Sequence, residues 1–587
     1  MKRASSSILD DCCGDICVDD DGDTGTAAPS VAMDIAASLL SQPADITVKD
    51  GVERMKFRSV SDTAPPGPAT VTESFQWVAD AVRSLSVMAR HNLMRNLAFL
   101  HHSGHCSGMG SLEQVMHSIS LEASSRGQQV SIEGVHSSDI LISRQEVLLN
   151  LLQAGKPTHV HGAMEERLPS DLRARVEAVL NDPVVKKKAK ESATETVHAR
   201  AVLMEVQDEI FELYRKLSAP QDRAGWTCDE ELGYVAWCYA HNKMCKLFSD
   251  SHGRVAPAGC LTLHASGTSC EDTTTFGKMQ GSAGPSVVSF AIWLAERVLM
   301  QEAIIVHECT DLFDPTMLAR KLSGAHRIWS FLLCPHSLGF PVRRNRRYTV
   351  CIRKDHMMSI PMETFLQVMG RRLVAAPDIY YCMDSGECAD SFRRYESVEK
   401  ASFASRRRIG VRSVSDIPWV DLLGEYQRKH LEIFEGTLAE PEKQAGHQTP
   451  STNWIVDLDN HPTRYGRYCR SACGELLPCH VSHGCYWHIG RQRPLLAHEV
   501  LLSQGSAVAE CVTQRPDTWP LLSMLQSKQL RLSEAMSVGG LAWHIPTIGK
   551  IIVFVLASIR PAVVDWKRSI RLRSMYYHDE DECEEQL

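Results

Sequence analysis

The sequence is short of the features that would place it in several classes. No apolar run is long enough to cross a bilayer. The longest, IGKIIVFVLASI from Ile548 to Ile559, falls below the roughly 20 residues a spanning helix needs. It is read as a buried terminal helix, and no membrane partner is expected. The basic start, MKRASSSILDDCCGD, has no apolar run behind it, so no secretory leader is expected. With 20 cysteines and no leader, an intracellular reducing compartment is the expectation, and most thiols should act as small buried hydrophobes. Charge of one sign is not in large excess. A net charge of -8 argues against a surface that coats nucleic acid everywhere. A local basic cleft stays compatible with it, because net charge averages over all faces. No internal repeat and no recognisable chromatin-reading domain is present.

What is there is the composition of an ordinary globular chain, 44% hydrophobic and 23% charged. Its 587 residues suffice for two or more domains. Residues 1–70 are acidic, Ser-rich and Pro-punctuated (DDDGDTGTAAP, then APPGPA) and are expected to form a disordered tail. Over 71–169 the pattern alternates. FQWVADAVRSLSVMARHNLMRNLAFL has helical spacing; HHSGHCSGMGSLEQVMHSISLEA reads as strand end, Gly turn and amphipathic helix. VSIEGVHSSDILISRQEVLLNLL is a strand then a helix, and THVHGAMEERLP a third strand and turn. Such alternation predicts a parallel α/β sheet. Residues 170–255 turn charged and helical (DLRARVEAVL, VQDEIFELYRKL) and are read as a helical insertion, with the KKKAK run as a solvated helix face. Over 256–354 alternation resumes: strands LTLHASG, AIIVHECT, HRIWSFLL and YTVCIR, helices VVSFAIWLAERVLM and PTMLARKLSG. Residues 355–490 are irregular, helices return over 491–565, and 566–587 is an acidic tail.

Five features could carry chemistry. The turn Ser107-Gly108-Met109-Gly110 sits between a strand and a helix. Its backbone N–H groups could meet a ligand at the helix N-terminus, or it is a plain connection. Asp139, near the end of the second strand, could bind ribose hydroxyls or cap the helix that follows. Cys270 follows LTLHASGTS at a strand's carboxyl end, where open α/β sheets place their chemistry. By itself it is either a packing residue or a nucleophile. Glu308 ends an apolar β-branched strand, where an unpaired carboxyl is costly and burial would let it donate a proton near neutrality. SLGFPVRRNRRYTVCIR crowds four arginines into a turn, as an anion clamp or as a solvated turn.

In this order, from His101 to Ile559, these features resemble the S-adenosylmethionine-dependent cytosine-5 DNA methyltransferases. The Ser107–Gly110 turn resembles the cofactor loop. Asp139 and Ile140 fall where the family has its ribose-binding acid. HVHGAMEERLP resembles the third cofactor segment, with Ala163 and Met164 in place and Ala163 standing where an Asp contacts adenine. GTSC resembles the Gly-Pro-Pro-Cys loop, with Thr268 and Ser269 for the prolines and Cys270 as nucleophile. HEC matches the Glu-Asn-Val segment, with Cys309 for Asn. GFPVRRNRRYTV matches the Gln-x-Arg-x-Arg segment through Arg344 and Arg346, with Val342 for Gln. Arg493, Pro494, Leu495, Glu499, Gln504 and Gly505 match the segment closing target recognition. Gly540-Leu541 stands for the Gly-Asn pair of the last segment.

The resemblance implies a Rossmann-like α/β methyltransferase sheet in two parts, a cofactor half (71–169) and a catalytic half (256–354). A helical insertion, a smaller target-recognition region (355–490) and a closing part (491–565) complete it. It implies methyl transfer from S-adenosyl-L-methionine to C5 of a cytosine flipped out of DNA, with a covalent adduct to Cys270 and nuclear localisation. Glu308 would hold and protonate N3; Arg346 would contact the base and help to lower the thiolate's energy, and Arg344 would support the loop or touch phosphate. Thr268 and Ser269 are expected to loosen the Cys loop and slow the chemistry. A tRNA substrate, and a catalytically silent scaffold, are the alternatives. No metal is expected: YCRSACGELLPCHVSHGCYWH, Tyr468 to His488, has four cysteines and three histidines but no C-x-x-C knuckle.

Overall fold

In the computed structural model the residues described are 44–106, 108–151, 155–182, 193–218, 235–247, 256–257, 259–269, 284–383, 419–445, 454–462, 473–474, 476–481, 484–508, 520–527 and 532–561. The apolar segments form strands β1 (Asp45–Lys49), β2 (Val52–Lys56), β3 (Leu100–His105), β4 (Ile132–Ser138), β5 (Pro157–His161), β6 (Val235–Cys238), β7 (Lys243–Lys246), β8 (Leu261–Ser266), β9 (Ile304–Cys309), β10 (His326–Leu333) and β11 (Arg346–Arg353). They make one sheet in the order β1-β2-β10-β11-β9-β8-β3-β4-β5-β6-β7. From β3 the chain steps outward to β4 and β5, each parallel to the last. It then returns to the other side of β3 for β8 and β9, also parallel. This is a doubly wound, Rossmann-like α/β sheet whose switch point lies between β3 and β8, the place where such sheets open a crevice at the strands' carboxyl ends. β11 enters antiparallel between β9 and β10.

Register aligns the strand ends. His161, Ser138, His105, Ser266 and His307 face one another in a row across β5, β4, β3, β8 and β9. Among the described residues, the candidates Gly108, Asp139 and Glu308 lie just beyond this row. β8 and β9 are buried along their whole length, as parallel strands covered on both faces are, so their polar residues Thr262, His264, His307 and Glu308 are buried too.

Helices cover both faces. On one, α1 (Trp77–Ser84), α2 (Val87–Leu97) and α3 (Ser111–Ser125) pack around the late helix Ile545–Ser558. That helix is buried at every residue, as its sequence implied. Gly549 within it lets the Trp77 indole lie against its backbone, where any Cβ would overlap the ring. On the other face, α4 (Ala193–Ser218) and α5 (Ser286–Met300) pack through Leu203, Val206 and Ile210 against Ile292 and Trp293. Beyond β11, strands Ile455–Asp457, Cys473–Gly474, Tyr486–His488 and Arg493–Pro494 make a small antiparallel sheet. Helix Glu425–Ala445 packs on it through Leu431 and Phe434, against Val456 and Trp487.

Two segments depart from the sequence reading. Of the tail expected to be disordered, residues 45–56 form a β1–β2 hairpin, and β2 joins the sheet parallel to β10. The cause is local: Asp50 and Gly51 both take positive φ (51° and 78°), the two-residue turn that Asp-Gly favours. The insertion read as helical over 170–255 is helical at Ser170–Asn181 and in α4, but ends in the β6–β7 hairpin at the sheet edge. Residues 1–43 and 562–587, parts of both expected tails, lie outside the described residues.

Candidate active site

Three segments converge past the strand-end row on the β8–β9 side. β9 delivers Glu308, which the antiparallel register sets opposite Tyr348 of β11. The same register brings Arg346, at the start of β11, to the same edge. Arg346 Nε lies 3.1 Å from Glu308 Oε1. The buried carboxylate thus has a cation partner, which offsets the cost of its burial.

After β8 comes Gly267, whose missing side chain is a requirement of space. A Cβ there would overlap the Trp543 indole and lie 3.4 Å from Glu308 Oε2. The glycine is where Trp543 and Glu308 meet the Cys loop. Thr268 follows, buried, with its hydroxyl 2.7 Å from His307 Nε2. Burial pushes the His307 pKa down to about 3, so the ring is a neutral partner for that hydroxyl. The expected loosening at Thr268 is therefore corrected: a hydrogen bond fastens the position. Ser269 is exposed. Cys270 and Ser107 lie outside the described residues.

Arg344 is buried and its Nη1 donates to the carbonyls of Gly540 at 3.2 Å and His480 at 3.5 Å. It ties the arginine turn both to the returning helix Leu532–Leu541 and to the region beyond β11. Between the two arginines sits Cys479, which the sequence reading did not single out. Arg346 Nη2 donates to its Sγ at 3.5 Å. Burial pushes the thiol up, but the Arg346 and Arg344 charges outweigh that and leave its pKa below the ordinary thiol value. The only sequence signal was its place in LLPCH, and nothing local pairs it with arginines more than a hundred residues earlier.

On the β3–β4 side the Gly turn leads into α3. Gly108 and Gly110 have φ of 57° and 69°, and nothing lies within 4 Å of a Cβ built on Gly108. Asp139 Oδ2 accepts from the Gly108 N–H at 3.0 Å. Its Oδ1 accepts from the Leu141 N–H at 3.1 Å, and Arg144 Nη1 is 3.3 Å from both oxygens. Asp139 thus holds the Gly turn and the Leu141 N–H that precedes the following helix, with both carboxyl oxygens engaged. Ile140 beside it is 67% exposed, an apolar face at the crevice side of the sheet. Glu113, in the first turn of α3, accepts from Ser137 Oγ at 2.7 Å, and its Oε2 has no hydrogen-bond partner. Burial lifts its pKa to about 7.

Not every expected cofactor residue is brought to the crevice. Met109 packs with Val147, Leu148 and Leu151 in the core. Met164 packs with Leu168 and the α5 side chains. Their side chains are packing residues: each neighbours a turn but follows the apolar face beneath, so only the backbone of these positions faces the crevice side. Ala163 stands at the start of the short helical turn Met164–Arg167. Leu541 is exposed, while its neighbour Gly540 contributes its carbonyl to Arg344. Val342 and Cys309, at the other substituted positions, are buried core residues.

The residues present fit the methionine end and one face of S-adenosylmethionine. The open Gly108 position, the α3 N-terminus and the unpartnered Glu113 oxygen suit an amino-acid group. The exposed Ile140 suits an adenine face.

No protein-family model and no curated protein matches the chain. Among solved structures it is similar to the S. pombe Dnmt2 methyltransferase, at 11% identity over 78% of this chain and 98% of that one, with a TM-score of 0.32. It is similar to a putative DNA modification methyltransferase encoded within an E. coli prophage, at 11% identity over 78% and 98%, with a TM-score of 0.34. A methyltransferase of Entamoeba histolytica gives 10% identity over 78% and 98%, with a TM-score of 0.33.

Proposed function

We propose that this chain is a cytosine-5 methyltransferase acting on DNA. The observation that carries the reading is the Glu308–Arg346 pair, set 3.1 Å apart at the carboxyl edge of the sheet and beside the glycine that opens the Cys270 loop. S-adenosylmethionine, held by the Gly108–Gly110 turn, Glu113 and Ile140, would supply an electrophilic methyl group.

The chain's own residues would prepare the base. Cytosine C5 is a weak nucleophile, so the ring needs an electron pair. The Cys270 thiolate would add to C6 while Glu308 holds and protonates N3, which makes C5 enamine-like. Arg346, paired by charge with Glu308 Oε1 at 3.1 Å, would leave Oε2 to face the base and keep the carboxyl in place. Once C5 carries the methyl group, loss of the C5 proton to a base would expel the thiolate, N3 would return its proton to Glu308, and the ring would be restored. Since these atoms are inaccessible within a duplex, the target base would be extruded into the crevice.

The test is methyl transfer from labelled S-adenosylmethionine to duplex DNA and, side by side, to tRNA. Expected are transfer to DNA, its abolition in Cys270→Ala, and a loss of at least about a hundredfold in Glu308→Gln, the scale of a general-acid contribution. Label on tRNA alone moves the substrate to RNA. Absence of both transfer and S-adenosylmethionine binding would leave a silent scaffold.

A further inference from the structure

Away from this site, on the outer edge of the same sheet, four side chains meet that have no part in the proposed chemistry. His159 lies in β5, Cys238 ends β6, His241 lies in the turn after it, and Cys245 lies in β7. One ligand-type atom from each lies within 4.8 Å of all the others. Cys238 Sγ is 3.7 Å from His159 Nδ1 and 3.4 Å from His241 Nδ1; Cys245 Sγ is 3.5 Å from His241 Nδ1.

We propose that His159, Cys238, His241 and Cys245 form a structural zinc site. The edge lengths decide for a metal. With Zn–S near 2.3 Å and Zn–N near 2.0–2.1 Å, a tetrahedron has S···N edges of about 3.6 Å. The three sulfur–nitrogen distances bracket that value. Two thiolates and two neutral imidazoles are a closed zinc donor set, and the two negative charges balance the cation. No fifth group is needed, which marks the site as structural.

The backbone shows what the ion would do. β6 meets β5 through one register pair, His161 with Cys238, and the Tyr239 N–H donates to the Val160 carbonyl at 2.8 Å. His161 Nδ1 adds one bond, to the Trp237 carbonyl at 3.1 Å, so few hydrogen bonds hold the hairpin on the sheet edge. The turn Tyr239–Asn242 closes with Asn242 at φ 50°, carrying His241 back over the two cysteines. A metal joining β5, β6 and β7 would clamp the edge next to Gly162 and Ala163, where β5 turns toward the crevice. The sequence pattern Cys238-x-x-His241-x-x-x-Cys245 lacks a C-x-x-C knuckle, and its fourth ligand lies 79 residues before Cys238.

The experiment is elemental analysis of full-length protein purified without added metal. We expect about one zinc per chain, lost in the Cys238→Ser, Cys245→Ser double variant. His241→Asn, at an exposed position, should leave the fold intact and weaken zinc retention against a chelator by at least about tenfold. Cys485→Ser should keep its zinc. Cobalt exchanged into the site should show thiolate charge-transfer absorption and the visible bands of a tetrahedral ion. Zinc missing from wild-type protein, zinc kept by the double variant, zinc lost from Cys485→Ser, or a Cys238–Cys245 disulfide on mass spectrometry would each overturn the proposal. None of these readouts depends on methyl transfer.

Discussion

At the scale of single residues, the Cys loop begins with two positions held from outside it. Thr268 bonds His307 at 2.7 Å in a buried setting. Replacing it with Val keeps the shape and removes the hydroxyl. His307 Nε2 is then stranded, at a cost of about 1–3 kcal/mol, whereas Thr268→Ser keeps the bond. Denaturation midpoints should rank the native chain and Thr268→Ser above Thr268→Val; an unshifted Thr268→Val midpoint would remove the anchor from the account. Gly267 is constrained by volume. Gly267→Ala drives a methyl into the Trp543 indole and toward Glu308, so kcat for methyl transfer should fall by at least about tenfold, since small misplacements of catalytic groups are costly. Steady-state kinetics with DNA in excess reads this, and a variant of native kcat would show that Trp543 moves aside freely.

At the scale of elements, the helix Ile545–Ser558 is the centre of one face of the sheet. Its one charged residue, Lys550, is buried and pairs with Asp80 of α1 at 2.9 Å. Burial is the main reason the Lys550 pKa falls, to about 8. One turn of packing depends on Gly549, against which the Trp77 ring lies. Ala would be the better helix former in isolation. Here Gly549→Ala should cost about 1–3 kcal/mol through overpacking, visible as a lower denaturant midpoint with unchanged slope. The companion substitution Trp77→Leu should recover part of the loss, because it vacates the space the new methyl needs.

At the scale of the whole molecule, many of the buried polar groups among the described residues are histidines. His161, His307 and His480 have pKa values pushed to about 3, burial being the main cause, and His105 and His544 lie well below the ordinary value for the same reason, reinforced by neighbouring arginines. His105 belongs to a buried network in which Arg167 pairs with Glu296 at 2.9 Å and Arg297 with Glu302 at 2.9 Å. Each such histidine stays neutral in the fold but takes up a proton on unfolding once pH drops below about 6.5. Its contribution is complete above that value and is lost as pH falls, by up to about 1.4 kcal/mol per pH unit per group. Glu113 and Asp457, both lifted to about 7 mainly by burial, act in the opposite sense between their unfolded values and 7. The five histidines outweigh the two acids. Urea midpoints should therefore hold between pH 7.5 and about pH 6.5 and drop steeply from there to pH 5.5, and a flat profile below pH 6.5 would mean that these rings are hydrated in solution.

The sequence by itself determined the alternation of strand and helix, the carboxyl end at Glu308 and the arginine turn before β11. These are patterns carried within a dozen residues, where spacing alone tells a buried strand from an amphipathic helix. It also contained the Asp50-Gly51 hairpin signal, hidden by the acidic and Pro-rich composition around it. Only the tertiary structure decided the rest. Met109 and Met164 flank crevice turns in sequence but pack beneath them. Cys479 lies between Arg344 and Arg346 because register and the returning helix bring distant segments to one edge. The four-donor cluster at His159 exists only once β6 and β7 are laid beside β5. The physical reason is the same in each case: a side chain's partners depend on which strands become neighbours, and that choice is made by burial summed over the whole core, not by the few residues on either side.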